Sequence, residues 1–308
     1  MQKIIHYFYD DVDIWKKGTA HSVFRMCYAS WLRHCPDYEF KLWHPQMPEF
    51  KKMLNDSRFL RECYKRKIWA FIADYVRYYA LYHEGGIYLD TDVQLLSNFD
   101  NYLKEPFFIS IEGDILDGKN VLEPAVMGGE KGHRLFKDVL DLYNSDDIFK
   151  MDYFIANVVI SKYVEDKIDF RMIKYPEHLQ KKADRFYADY SHRKNSDFEL
   201  YSNQQIVRND DLKIAIYPSE YFCPTWDTFG FKAFTKNTVA IHWNQSSWWK
   251  DGGKHLKELE TLRYNEPYKR YWYRLVPKIV NILTCLIPNK TTRHKLRKKL
   301  RDKLVFKA

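Results

Sequence analysis

The chain has 308 residues, of which 45% are hydrophobic and 17% aromatic, and a formal net charge of +9. That is enough apolar material for one large domain or two smaller ones. The charge is concentrated: residues 266–308 hold thirteen Lys or Arg and two acids, whereas residues 1–265 hold 37 basic and 39 acidic side chains. The body of the protein is therefore not basic, and no nucleic-acid partner is expected. Five scattered cysteines with no C-x-x-C pair argue against a disulfide scaffold or a thiolate metal site and fit a reducing compartment. Tyr outnumbers Phe and both outnumber Trp. Rings with a polar handle suit a cleft that stacks on bases or sugars.

The first apolar run, Ile4 to Tyr9, is too short for a signal peptide and meets Asp10 and Asp11, so it reads as a strand. Ala20 to His34 carries Val23, Met26, Cys27, Ser30 and Trp31 at helical spacing, and Cys35-Pro36-Asp37 ends it. Glu39 to Trp43 alternates as a second strand, and strand, helix, strand at this spacing predicts a parallel pair. Phe59 to Tyr82 reads as helix in one or two pieces, stopped by Gly85-Gly86. A short strand, Ile87 to Leu89, follows. Phe107–Ile111, Ala125–Gly128, Ile214–Tyr217 and Val239–Trp243 read as strands, and Lys131–Tyr143 and Ala156–Tyr163 as helices. Strands alternating with helices predict an α/β domain with a mixed, mostly parallel sheet.

The densest chemical signal is Gly85-Gly86-Ile87-Tyr88-Leu89-Asp90-Thr91-Asp92. If the extended geometry persists, Asp90 and Asp92 point the same way. Two carboxylates on one side of a strand end repel each other and cannot join a core unpaired. They do suit a hard divalent cation that also holds phosphate oxygens. Asp74 and Arg77 share a face of the preceding helix; on spacing alone they form a helix-surface ion pair, while their apolar, aromatic neighbours suit a cleft edge. His242, Ser247 and Trp248 follow the Val239–Ile241 run, as a Trp-rich packing corner or as a loop closing over a metal-bound diphosphate.

Taken in order, Asp74-x-x-Arg77, Leu81-Tyr82 and Gly85 to Asp92 resemble the DXD-containing sugar-binding region of glycosyltransferase family 32. That family includes capsular polysaccharide glycosyltransferases and yeast mannosyltransferases. Ile4 to Tyr9, Ser30-Trp31 through Glu39, and Tyr221-Phe222-x-Pro224 with Asn237-Thr238, His242-Trp243 and Ser247-Trp248 extend the resemblance over about residues 3–249. It implies a glycosyltransferase A-type fold, a UDP- or GDP-sugar donor, Mn²⁺ or Mg²⁺, and transfer of a hexose with retention of configuration. By position it implies that Tyr9 stacks on the base. Asp74 and Arg77 hold donor sugar and ribose. Asp90 touches both, and Asp92 ligates the metal. His242, Ser247 and Trp248 close on metal and diphosphate. Asp90, Asp92 and Arg77 are thus the expected catalytic groups, and Asp92 and His242 the expected metal ligands. Departures fall at the strand Glu123-Pro124-Ala125-Val126-Met127-Gly128-Gly129, ahead of which many relatives carry Asn, and near Ala156-Asn157, where a Gly-Pro is not evident. Glu123 and Asp227 are the candidates for a protein base.

The competing reading is a haloacid-dehalogenase-type phosphatase with Asp90 as nucleophile and Asp92 as acid/base. It leaves Asp74-x-x-Arg77 unexplained and lacks a later acidic pair for its metal.

Residues 1–265 are expected to form the catalytic domain and residues 266–308 a basic amphipathic tail. Leu275 to Ile287 is too short to cross a bilayer. Tyr268, Tyr271, Trp272 and Tyr273, followed by a stripe of Leu296, Leu300 and Leu304 among basic residues, fit attachment to an anionic leaflet. Five or six contacts at roughly 1 kcal/mol each would hold it reversibly. The expected location is cytoplasmic, on the inner face of the cell membrane, with a glycan or lipid-linked glycan of a capsule or exopolysaccharide as acceptor.

Overall fold

In a computed structural model the described residues are 1–18, 20–112, 121–151, 154–165, 167–168, 206–224, 236–244 and 267–285, together with 287–289, 292, 293, 296, 297 and 300. The chain divides into two compact units, Met1–Trp248 and Trp249–Ala308.

The first unit is built on a seven-stranded sheet, β2-β1-β3-β6-β5-β8-β7. Its strands are β1 (Ile4–Phe8), β2 (Glu39–Trp43), β3 (Gly86–Leu89), β5 (Phe107–Ile111), β6 (Leu122–Gly129), β7 (Val207–Asn209) and β8 (Ile214–Tyr217). β1 pairs in parallel with β2 and β3, and β5 with β8; β6 and β7 run against their neighbours. Five strands therefore share one direction, which is the mixed, mostly parallel sheet expected. Two short strands, β4 (Val93–Leu95) and β9 (Ala240–His242), form a separate antiparallel ribbon.

Helices cover both faces, and β1 shows how. Its odd positions, Ile5 and Tyr7, enter a core with Phe24, Cys27 and Trp31 of α2 (Ser22–His34). Its even position His6 meets Trp43 and the end of α5 (Trp69–Glu84). The alternation of strand side chains thus assigns α2 and α5 to opposite faces. α4 (Arg58–Lys65) and α6 (Arg134–Asn144) pack beside α5 through Phe59, Tyr75 and Tyr143. The predicted Phe59–Tyr82 helix is two pieces, broken where Lys67 takes a positive φ of 56°. α1 (Ile14–Lys17), α3 (Pro48–Asp56), β4 and β7 add to the elements read from sequence. α3 starts with Pro48 in its first turn, where a missing N–H costs nothing.

The passage from α5 into β3 positions everything that follows. Gly85 caps α5 with φ 71°, and its carbonyl accepts a 2.8 Å hydrogen bond from Nε2 of buried His6. His6 Nδ1 in turn accepts from Trp43 Nε1, so the ring is neutral and its proton sits on Nε2. Burial lowers its pKa further. Gly86 has φ 98°, and a Cβ there would lie 2.7 Å from the carbonyl oxygen of Ile4. Both the dihedral and the close approach of β1 require glycine.

In the second unit α9 (Pro267–Thr284) is one continuous helix that leaves Ile282 and Leu283 exposed. Thr284 Oγ1 donates to Val280 O and accepts from Arg297 Nε. No helix among the described residues is long and apolar enough to cross a membrane, as expected for Leu275 to Ile287.

Replacing Gly86 by Ala strains the backbone and drives a methyl into β1. We expect Gly86→Ala to lower the unfolding free energy by about 2 kcal/mol in urea titrations. An unchanged denaturation midpoint would contradict this account of the α5–β3 junction.

Candidate active site

Asp90 and Asp92 do not continue β3. The chain turns at Asp90-Thr91-Asp92, with Val93 N bonded to Asp90 O at 3.0 Å. Strand alternation is therefore not what aligns the two carboxylates, which corrects the extended reading. The turn does so, held from both ends. Asp90 N donates to Ala125 O of β6, extending the β3–β6 ladder by one bond. On the other side, β4 leaves the turn and pairs with β9 in a register that sets Val93 opposite His242. Trp243 N then donates to Asp92 O at 3.0 Å. A residue 150 positions away is thus brought beside the DXD turn by ladder register. His242 Nε2 lies 3.2 Å from Asp92 Oδ1.

Arg77 anchors Asp90. Its Nη2 donates to Asp74 Oδ1 at 2.9 Å and to Asp90 Oδ1 at 3.1 Å, and its guanidinium carbon lies 5.0 Å from the centre of the Tyr88 ring. Asp74 and Arg77 are 7% and 4% exposed, so the helix-surface ion pair suggested by spacing is instead a buried pair, joined by the partly exposed Asp90. Asp74 Oδ2 also accepts from Ala156 N in the first turn of α7 (Ala156–Glu165), where an acid complements the helix dipole. Burial would lower the Arg77 pKa, but Asp90 and Asp74 more than offset it and the guanidinium stays charged. Burial pushes the Asp74 carboxyl up to about 7, with Arg77 opposing. Burial also raises Asp90, against Arg77 and His242. Burial alone would lower the His242 pKa; Asp92, Cys223 and Glu123 reverse this and hold it well above its ordinary value.

A second acidic element lies behind His242. Glu123 on β6 is 4% exposed. Its Oε1 accepts from Ala125 N at 2.9 Å and stands 3.8 Å from His242 Nδ1. Asn157 Nδ2 donates to both Glu123 Oε2 and Glu112 Oε2 at 3.0 and 2.9 Å. Burial pushes the Glu123 carboxyl up to about 7, with His242 opposing. Sequence flagged Glu123 as a candidate base, but nothing in the chain pattern signals its link to Asn157.

One donor atom each from Asp90, Asp92 and His242 converges within 4.8 Å, and these side chains remain partly exposed, at 24%, 19% and 12%. Two hard carboxylates and an imidazole, open to solvent on one side, fit a divalent cation that keeps positions for ligand oxygens. Arg77 holds Asp90, and Asp92 faces His242 Nε2 across the cluster. Of the other expected residues, Tyr9 follows β1 half-buried and stacks on Phe24 at 5.3 Å and 14°. Ser247, Trp248 and Asp227 lie outside the described residues.

Residues 22–108 match the family model for the glycosyltransferase sugar-binding region containing DXD motif. The match spans α2 through the start of β5 and includes Asp74, Arg77, Asp90 and Asp92. Over that span the chain carries a glycosyltransferase sugar-binding region with its DXD motif. Solved structures with detectable likeness include the PaToxG glycosyltransferase (12% identity, 65% of this chain and 83% of that one, TM-score 0.43). A glycosyltransferase involved in glycosylation of the major capsid of PBCV-1 matches at 12% identity over 83% of this chain and 98% of that one, TM-score 0.39. The galactosyltransferase LgtC, solved with donor and acceptor sugar analogues, matches at 15% identity over 86% and 97%, TM-score 0.35. A search of curated proteins finds no match for the chain.

The Glu123 carboxyl keeps its proton to about pH 7 in the fold, against an ordinary value of 4.5. A raised folded pKa on an acid means the native state binds the extra proton, so stability falls as pH rises through that window. Relative to Glu123→Gln, the wild type should lose stability between about pH 4.5 and 7 and change little above it. Chemical denaturation of both proteins across that range, in chelator, measures this; a constant difference would refute the buried, protonated state of Glu123.

Proposed function

We propose that the protein is a metal-dependent, retaining glycosyltransferase of the A-type fold. In this reading it moves a hexose from a UDP- or GDP-sugar to a growing surface or capsular glycan carried on a lipid. The observation that carries the reading is the convergence of Asp90, Asp92 and His242 beside the Asp74–Arg77 pair at the end of β3.

Roles follow from contacts. Asp92 and His242 would hold Mn²⁺ or Mg²⁺, and the bound ion supplies Lewis-acid neutralisation of the diphosphate leaving group. Arg77 fixes the Asp90 carboxylate by contacting both of its oxygens, at 3.1 and 3.4 Å, and orients it toward sugar and ribose hydroxyls. Asp74 locks Arg77 and ties it to α7. Tyr9 offers a partly exposed ring for the base, and Ser247 with Trp248 would close over the diphosphate. A carboxylate so engaged by a guanidinium is a poor nucleophile, which disfavours the phosphatase alternative with Asp90 phosphorylated.

The tail, residues 266–308, would hold the enzyme at the inner face of the cell membrane. Its charge and the exposed Ile282 and Leu283 of α9 support an anionic surface as partner.

Two measurements test these assignments. With Mn²⁺ and a panel of UDP- and GDP-sugars, the wild type should hydrolyse one donor slowly, and Asp92→Asn should lower turnover at least about a hundredfold. A near-native rate in that variant contradicts the metal role. Replacing Lys298, Lys299 and Arg301 together by Gln should weaken binding to phosphatidylserine vesicles in sedimentation assays while donor hydrolysis persists. Undiminished vesicle binding contradicts the role of the tail.

A further inference from the structure

His242 presents its two ring nitrogens to two different chemistries. Nε2 faces the carboxylate of Asp92 at 3.2 Å. Nδ1 faces Glu123 Oε1 at 3.8 Å and Cys223 Sγ at 4.0 Å. One donor atom from each of Glu123, Cys223 and His242 lies within 4.8 Å of the others. We propose that these three residues form a second metal site, selective for a soft, Zn²⁺-class cation, that competes with the DXD cation for His242.

The donor set decides the selectivity. The front site has two carboxylates and an imidazole and suits Mn²⁺ or Mg²⁺. The rear set substitutes a thiol for one carboxylate, and thiolate, imidazole and carboxylate together suit tetrahedral Zn²⁺. With metal–ligand bonds of about 2.0 to 2.3 Å, tetrahedral donors stand roughly 3.3 to 3.6 Å apart. The observed 3.8 and 4.0 Å need a contraction of a few tenths of an ångström.

The frame is rigid. Cys223 caps the short helix α8 (Ser219–Phe222), its N–H bonded to Ser219 O at 2.8 Å. Tyr221 O accepts from Val239 N at 2.8 Å just before β9, so Cys223 and His242 are held in one unit. Ser110 supplies an independent sign of a ligand. It stands opposite Glu123 in the β5–β6 ladder and so on the same sheet face. It is fully buried, and its Oγ has no hydrogen-bond partner among the described residues. On that face its hydroxyl would be available to a fourth ligand such as a water.

Binding would release to solvent the Cys223 thiol proton, the Nδ1 proton of the His242 imidazolium and the proton held by Glu123, and place the metal on the freed Nδ1 lone pair of His242. The imidazole proton then resides on Nε2, which can no longer donate a lone pair to a cation at Asp92. Occupation of the rear site thus removes one ligand from the front site. Three scattered residues give no spaced motif, which is why the cysteine pattern pointed away from a thiolate site.

The test is direct metal binding to the full chain, without any assay of transfer. In competition with a chromophoric chelator, the wild type should bind one Zn²⁺, and Asp92→Asn should still bind it at the Cys223 site, weakened only as far as the loss of the carboxylate facing His242 Nε2 requires. Cys223→Ser and Cys223→Ala should each weaken it at least about tenfold. Co²⁺ in place of Zn²⁺ should give a thiolate-to-metal charge-transfer band that Cys223→Ser abolishes. Zn²⁺ affinity unchanged in both Cys223 variants, or lost in Asp92→Asn alone, would overturn the proposal. Either failure leaves the DXD assignment standing, because that assignment is read from Mn²⁺-dependent donor hydrolysis.

Discussion

The site depends on one guanidinium. Arg77 sits almost wholly out of water between Asp74 and Asp90, and through them it joins α5, the turn after β3 and the first turn of α7. Burying the Asp74–Arg77 pair is costly, and the cost is recovered only if its geometry is good and the remaining polar atoms are bonded. Here Asp74 spends its second oxygen on Ala156 N, and Tyr88 presents its ring face to the cation. Removing Arg77 would leave the buried Asp74 and the partly exposed Asp90 facing each other without a cation between them, so Arg77 fixes the DXD turn in place before any ligand arrives.

The second constraint is the β4–β9 ribbon. It does little for the main sheet, yet its register brings His242 beside Asp92 and aims the two ring nitrogens in different directions. Ligand placement by backbone hydrogen bonds is more exact than placement by a loop side chain alone. β6 and the end of α8 set Glu123 and Cys223 on the Nδ1 side of the ring, so the two proposed sites would share one imidazole.

Much of this was legible in the chain. The strands of the parallel core announce themselves because β-branched and aromatic runs are bounded by Gly, Pro and Asp, and Glu39–Trp43, Phe107–Ile111 and Ile214–Tyr217 coincide with observed strands. Gly85-Gly86 marked the α5–β3 junction for a reason the structure supplies: a positive-φ cap at Gly85 and a Cβ-free approach of Gly86 to Ile4. Asp90 and Asp92 stood out because paired acids after an apolar strand need a purpose. What escaped detection was short or non-local. β4 and β7 are three residues each and carry no period. The burial of Asp74 and Arg77 depends on β3 and α7 rather than on α5, so i,i+3 spacing alone suggested a surface pair. Links such as Asn157 to Glu123 and Glu112 arise only from packing of α7 on β6.

The central claim is that the acids after β3, with His242, seat a divalent cation that draws on a nucleoside diphosphate. A crystal structure of the protein soaked with Mn²⁺ and UDP or GDP tests it most directly. The account predicts the ion bonded to an Asp92 oxygen, with His242 Nε2 in its coordination sphere and Arg77 still holding Asp90. An ion and nucleotide bound elsewhere, with Asp92 still turned to His242 over an empty cleft, would contradict it.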